Sequence, residues 1–417
     1  MRFKALIDLA VGVGLMLAAG AAHADVVIRL VYVDPGDGPL WKHIAADYEQ
    51  GHRGVRVSVE YFESESYKAK LPTLLESKDR PNIIYSWAGG VMKAQIDAGY
   101  IEDISAALPY FEKTVYPVAL KAYLVDGHLY GVPARMSQVA LFYNKALFAK
   151  AGVDAAAIKN WDDFLAAIKK LKASGITPIA MAGGDKWPMH FYWSYLVMRL
   201  GGPDVLRNAE AGKEGGFSSP VFVQAGERLE QLAALDPFQR GWLSETFPIS
   251  AGKFGDQLAA IDLMGNWLLT MQGPNSANGK GLPDDQIGLI PFPELPGGKG
   301  RITDTLGGTE GLLVTKGSPK ETIDFLEFFS QQKEQSHAAA KGAYVPAAVG
   351  TDTDLTDQRL LVIAHNIATS TWHQNFFDQE LGPSVGRVVN DISVAIAANQ
   401  MTPEEGAAAV QDAWNQH

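Results

Sequence analysis

Apolar positions in this chain alternate between short runs and helix-spaced stripes, in the order of strand–helix–strand units. Val26 to Val33 is an apolar run suited to a buried strand. Leu40, Trp41, Ile44, Ala45 and Tyr48 then recur at helical spacing, and Val55, Val57, Val59 and Tyr61 alternate as a half-buried strand. This is the opening βαβ unit of a parallel sheet. Ligands of such sheets bind beyond the carboxyl ends of strands. That rule places Asp34, Asp37 and Glu63 at a cleft edge, with helix capping and loop solvation as their alternative roles.

The pattern continues along the chain. Tyr67 to Ser77 reads as a helix, with Pro72 as a kink or a first turn. Asn82 to Ser86 is a short strand ending at Trp87, and Val91 to Ala98 a helix stopped by Gly99. Asp126-Gly127 gives a hairpin-like turn. Gly131 and Pro133 punctuate the next stretch, which carries Arg135. Val139 to Tyr143 suits a buried strand, Asn144 a helix N-cap and Gly152 its terminator. A passage from one lobe to another reads this way, and so does a core strand of a single domain. Asn160 caps a helix striped by Trp161, Phe164, Leu165, Ile168 and Leu171. Ile176 to Met181 predicts a strand, with Lys186 and Trp187 in the loop at its end and an aromatic helix from Met189 to Leu200. Ser219-Pro220 opens another helix. Ala259 to Met264 predicts a strand whose terminal turn is Gly265-Asn266-Trp267, and Glu310 precedes a strand from Leu312 to Thr315. The remainder predicts mostly helix, including the capping box Thr402-Pro-Glu-Glu405.

Tyr130-Gly-Val-Pro133, Leu141-Phe-Tyr-Asn-Lys145, Phe148, Gly152 and Trp161-Asp-Asp-Phe-Leu165, in that order, resemble family 1 of the extracellular solute-binding proteins. These are the sugar receptors of ABC importers, maltose-binding protein among them. The resemblance covers nearly the whole chain after residue 24. It implies an α/β, type II-like periplasmic-binding-protein fold: two lobes, each a mostly parallel sheet flanked by helices, joined by hinge crossings. The expected first lobe is 25–134 plus 312–343 and the second 135–311 plus 344–417. The Tyr-Gly-Val-Pro segment would carry the first crossing, Thr305–Gly311 the second and Gly342–Pro346 the third. The resemblance also implies that Trp87 and Trp267 end strands at the cleft, with Trp372 a further candidate.

Composition narrows the function. A length of 417 residues accommodates two lobes, each with its own core. A net charge of −11 without a localised basic patch argues against nucleic acid or an anionic membrane as partner. Arg2 and Lys4, the apolar stretch Ala5–Ala19 and Ala22-His23-Ala24 predict a signal peptide over 1–24, cleaved after Ala24, and hence a periplasmic protein. The absence of cysteine excludes disulfides, thiol nucleophiles, zinc-thiolate sites and a lipid-acceptor cysteine. Nine histidines lack ligand spacing, and neither a Gly-x-Ser-x-Gly elbow nor a His-Glu-x-x-His pair occurs. Gly273 to Gly281 misses phosphate-loop spacing, and Asp352 to Asp357 lacks the glycine and closing carboxylate of a calcium loop. No cofactor and no metal are expected.

A sugar presents apolar CH faces and a rim of hydroxyls. Its site wants flat aromatic surface with planar carboxylate, amide and guanidinium partners in a concave cleft. The candidates are Asp34, Asp37, Glu63, Trp87, Arg135, Lys186, Trp187, Asn266, Trp267, Glu310 and Trp372, with Trp161 and Trp193 assigned to the core. The expected protein is a monomeric receptor, without catalysis. It captures a mono- or oligosaccharide or polyol by hinge closure and delivers it to an ABC permease. A secreted glycoside hydrolase, with paired carboxylates roughly 5–10 Å apart, is the alternative. Release of the sugar unchanged separates the two.

Overall fold

The computed structural model describes residues 26–340 and 344–416. The expected signal peptide with its Ala24 cleavage site, and Gly342–Ala343 of the expected third crossing, lie outside the described residues. In chain order the strands are β1 (Val26–Tyr32), β2 (Val55–Tyr61), β3 (Ile83–Ser86), β4 (Leu124–Val125), β5 (His128–Leu129), β6 (Gly131–Met136), β7 (Val139–Asn144), β8 (Ile261–Gly265), β9 (Ile287–Ile290), β10 (Thr305–Leu306), β11 (Thr309–Val314), β12 (Val345–Pro346) and β13 (His373–Gln374). Six form one sheet, ordered β12-β6-β11-β3-β1-β2. Five form a second, ordered β13-β10-β7-β8 with β9 also on β7, and β4 and β5 make a separate hairpin. Each sheet centres a lobe, and helices cover both.

The opening βαβ unit forms as its pattern predicts. β1 pairs in parallel with β2, from Val26 opposite Val55 to Tyr32 opposite Tyr61, and with β3 at Leu30 opposite Ile83. Between them the helix Gly38–Gly51 buries Leu40, Trp41, Ile44, Ala45 and Tyr48. Parallel pairing does not extend through the sheets as expected. β11 runs antiparallel to β3 and β6, and β7 antiparallel to β8, β9 and β10. β6 passes directly into β7 and β10 directly into β11, each time crossing from one sheet to the other.

Those direct passages correct the lobe boundaries. β6 stays in the first sheet to Met136, so the chain changes sheet at Ser137–Gln138 and not after Ala134. It returns at Gly307–Gly308 and not after Gly311, since β11 starts at Thr309. β12, at 345–346, still belongs to the first sheet, beyond the expected end at 343. All residues of β6 and β11 are buried, so the apolar pattern carries no mark where a strand leaves one lobe.

Other expectations need smaller changes. Ile176–Met181 is not a strand; Ile179 alone bridges Phe238 and Ile261. Pro72 falls inside the helix Ser64–Glu76, which begins earlier than its apolar residues do because Glu63 caps it. Asn144 caps the helix Lys145–Ala151, with Gly152 left-handed at φ 64° after it, and both Asn160 and Thr402 form full capping boxes. Trp161 and Trp193 are core residues, each 1% exposed. The helices Gly382–Ala397 and Pro403–Asn415 pack on Pro220–Ala233 of the second lobe, and Gly382–Ala397 also meets the helix Gly89–Asp97 of the first. Among the described residues no helix is long and apolar enough to cross a membrane.

Candidate functional site

The two lobes face one another across a cleft. The first lobe contributes residues from the ends of β1, β2 and β3 and from the crossing strands: Asp34, Tyr61, Glu63, Trp87, Arg135 and Glu310 all line it. Trp187, His190, Phe191, Trp267, Phe376 and Asp378 line it from the second lobe. Asp34, Glu63 and Trp87 sit just beyond strand ends, where loops and helix starts close a sheet.

A buried charge cluster forms the floor. Arg135 lies on β6, and its Nη1 is 3.0 Å from Asp37 Oδ2 and 3.6 Å from Asp34 Oδ2, while its Nε is 3.5 Å from Glu310 Oε2. Its Nη2 donates to the Tyr85 hydroxyl at 2.8 Å. One guanidinium therefore serves three carboxylates. Burial pushes the Asp37 carboxyl up to about 7 against the pull of Arg135, with Asp34 and Glu310 adding to the rise. Glu310 is raised for the same first reason, and Ser137 Oγ donates to it at 2.9 Å. Asp37 does not itself line the cleft; it backs Arg135 from behind.

Aromatic rings cover the walls. Trp267 lies 6.2 Å from Trp187, 6.4 Å from Phe191 and 6.0 Å from Phe376, centroid to centroid. Trp187 opens the helix Trp187–Gly201, so His190 and Phe191, three and four residues on, share its face. Across the cleft Trp87 meets Tyr85 edge-on at 5.0 Å, and Lys68 Nζ sits 5.4 Å over the indole.

Polar groups sit among the rings. Glu63 accepts from the Glu65 and Ser66 amides at 3.1 and 2.9 Å, so it caps a helix and lines the cleft at once. Burial opposes its charge, yet those N–H groups hold its carboxyl below the usual range. Burial likewise works against the Lys68 charge, but Asp378, Glu65 and Asp185 outweigh it and raise its pKa. His190 Nδ1 faces the Trp187 carbonyl at 2.6 Å, which assigns it the proton, while Nε2 makes no hydrogen bond and lies 3.7 Å from Asp378 Oδ1. Burial lowers its pKa, so the neutral ring keeps Nε2 as an acceptor at the cleft wall.

Besides Asp37, three expected site residues lie elsewhere. Lys186 does not line the cleft; its Nζ pairs with Asp391 at 2.6 Å beside a second pocket formed with Glu65, Asp185 and Arg387. Asn266 is buried behind the wall, where its Oδ1 accepts the Gln138 amide at 3.0 Å and pins the first crossing. Trp372 lies beside β13, its Nε1 donating to Gln374 at 3.2 Å and its carbonyl accepting from Thr305. Lys68, Tyr85, Asp185, His190, Phe191, Phe247, Met271, Phe376 and Asp378 line the cleft and were not among the candidates. Helical spacing from Trp187 and Trp267 points to His190, Phe191 and Met271; Asp378 carries no such signal.

A family model described as bacterial extracellular solute-binding protein matches residues 34–336. The multiple sugar-binding protein of Streptococcus mutans is 25% identical over 285 residues, which is 59% of this chain and 64% of that protein. The sn-glycerol-3-phosphate-binding periplasmic protein of Agrobacterium fabrum is 28% identical over 296 residues, 66% of this chain and 62% of that one. The chain thus spans between two fifths and two thirds of the length of the curated relatives it matches. A solved chitin oligosaccharide binding protein superposes with a TM-score of 0.84 at 22% identity, over 94% of this chain and 98% of that one, and so shares the fold.

Proposed function

The chain belongs to the bacterial extracellular solute-binding protein family, and from that premise we propose that it captures a neutral carbohydrate between its lobes for an ABC importer. One observation carries the reading. The cleft sets Trp87 of one lobe across from Trp187 and Trp267 of the other, over a floor of Arg135, Asp34 and Glu310. Rings of this kind stack on the CH faces of a pyranose, and the carboxylates and guanidinium take its hydroxyls. Closure then follows from differential affinity, because a ligand touching both walls stabilises the closed arrangement. Relatives named for sugar binding support the same class.

Phosphorylated ligands fit poorly, although one relative is named for glycerol phosphate. Arg135 already faces three carboxylates, Lys68 pairs with Glu65 at 2.8 Å, and Lys186 is engaged outside the cleft. A phosphate dianion would meet a surplus of negative charge. The protein works as a periplasmic monomer that docks on a membrane permease and releases its sugar intact. Family members are binding proteins, and the cleft carboxylates here serve capping and charge balance, which suits binding without turnover.

A thermal-shift screen of the purified protein against neutral sugars, polyols, sugar phosphates and amino acids tests this. A sugar at 100 times its dissociation constant adds about 2.7 kcal/mol of stability, and that sugar should be recovered uncleaved. Cleaved sugar would replace the receptor with a glycosidase. A shift only with amino acids would remove the carbohydrate.

A further inference from the structure

Two helices of the first lobe, remote from the cleft, bring together groups that sugar binding does not use. His43 and Asp47 lie one turn apart on the helix Gly38–Gly51, and Glu334 and His337 three residues apart on Gln332–Ala340. Each pair therefore shares a helix face. The donor atoms of His43, Asp47 and Glu334 all lie within 4.8 Å of one another. The His43 and His337 rings approach to 4.3 Å between centroids. Glu334 is 1% exposed, its Oε2 accepts no hydrogen bond, and its Oε1 meets only the Lys333 ammonium. A buried carboxylate without such bonds demands a cation.

The nearest cation in the chain is a poor occupant. Lys333 Nζ lies 3.0 Å from Glu334 Oε1 and 3.3 Å from Asp47 Oδ2, but its side chain is 75% exposed. An ammonium on an exposed, flexible stem contributes little, and it leaves Glu334 Oε2 and the imidazole of His43 unused. One imidazole nitrogen and two carboxylates form a donor set suited to zinc.

We propose that His43, Asp47 and Glu334 form a zinc site in which the metal displaces the Lys333 ammonium. Water fills the fourth position. Two carboxylates balance the charge of the ion. Bond lengths of about 2.0–2.2 Å draw the three donors inward from their present separation, by side-chain rotation on two fixed helices. The site ties the opening βαβ unit to the segment that returns from the second lobe. It acts on the stability of the first lobe and is independent of what the cleft binds.

Calorimetric titration of the chelator-treated protein with zinc chloride, alongside thermal unfolding, tests it. One zinc per chain with a raised Tm is expected. His43→Ala and Glu334→Gln should each weaken zinc binding at least tenfold, and Lys333→Met should strengthen it, all with unchanged circular dichroism. His43 is partly exposed, so His43→Ala decides the matter should Glu334→Gln fold poorly. Absence of saturable zinc binding would overturn the site. So would an affinity that His43→Ala leaves unchanged, because the zinc would then sit on other carboxylates such as those of the cleft floor.

Discussion

Trp267 can fold back over the end of β8 because residue 265 has no side chain: a Cβ there would stand 1.9 Å from the indole. From that position the ring reaches Trp187, Phe191 and Phe376 and completes one wall of the cleft. Trp267→Ala should weaken sugar binding about tenfold, or about 1.4 kcal/mol, measured by calorimetry with the fold checked by circular dichroism. Unchanged affinity would make the ring core packing only. Asp37 makes a different prediction. Its carboxyl ionises near 3.8 in the unfolded chain and at about 7 in the fold, because burial outweighs Arg135. Between those values the folded state holds the extra proton, so stability falls as pH rises. The contribution is fully present below 3.8 and lost above about 7. Asp37→Asn should flatten that part of the Tm–pH profile between pH 4 and 7.5 while keeping an oxygen for Arg135. An unaltered slope would assign the dependence to Glu310 or Asp185, whose carboxyls burial also raises.

The elements that join the lobes are held more tightly than their sequence suggests. The Ser137 amide donates to the Gly308 carbonyl at 2.9 Å, and the Gly308 amide donates back to Ser137 Oγ at 3.2 Å. A Cβ on Gly307 would stand 1.9 Å from the Ser137 carbonyl oxygen. Gly307→Ala should therefore destabilise the protein by about 1–3 kcal/mol, the usual penalty of overpacking, seen as a lower denaturation midpoint. A midpoint within error of the parent would mean that the two crossings move apart freely. This pairing shows what the sequence could and could not disclose. Strand β1, the Leu40–Tyr48 stripe and the caps at Asn144, Asn160 and Thr402 are local, and periodicity or capping chemistry reveals them. The point where β6 gives way to β7 is not local, because buried residues continue on both sides of it. Ile176–Met181 is apolar for the same reason a strand is, yet it lacks a neighbouring strand to pair with beyond bridges at Ile179. Among cleft residues, the tryptophans at strand ends were legible from position. Lys186 was misread because the carboxylate that engages it, Asp391, lies 205 residues away and leaves no mark in the local pattern. The three groups of the proposed zinc site are legible only as two helix faces, since most of the first lobe and the long pass through the second separate them in sequence.

At the scale of the molecule, the lobes touch at a second place besides the cleft. Gly89–Asp97 of the first lobe abuts Phe377–Glu380 and Gly382–Ala397 of the second, and Asn375 Nδ2 donates to the Trp87 carbonyl at 3.3 Å. The approach is close enough to exclude a methyl group: a Cβ on Gly90 would stand 2.4 Å from the Glu380 carbonyl oxygen and 2.7 Å from the Gly382 amide nitrogen. Those are backbone atoms of helices, which cannot swing aside as a side chain can. Gly90 has no positive φ, so alanine there strains neither its own helix nor its own lobe. The conflict exists only while the lobes are together. Gly90→Ala should thus leave the cleft residues and the stability of each lobe intact while disfavouring the closed state. Ligand binding must then offset that penalty, and the apparent affinity falls by the factor through which the closed population is reduced. Small-angle scattering supplies the direct readout. The parent should contract on adding its sugar, and Gly90→Ala should stay more open at the same concentration and contract only at higher ones. A variant that contracts and binds like the parent would show that the approach of these helices is not part of closure. Closure would then rest on the cleft contacts alone.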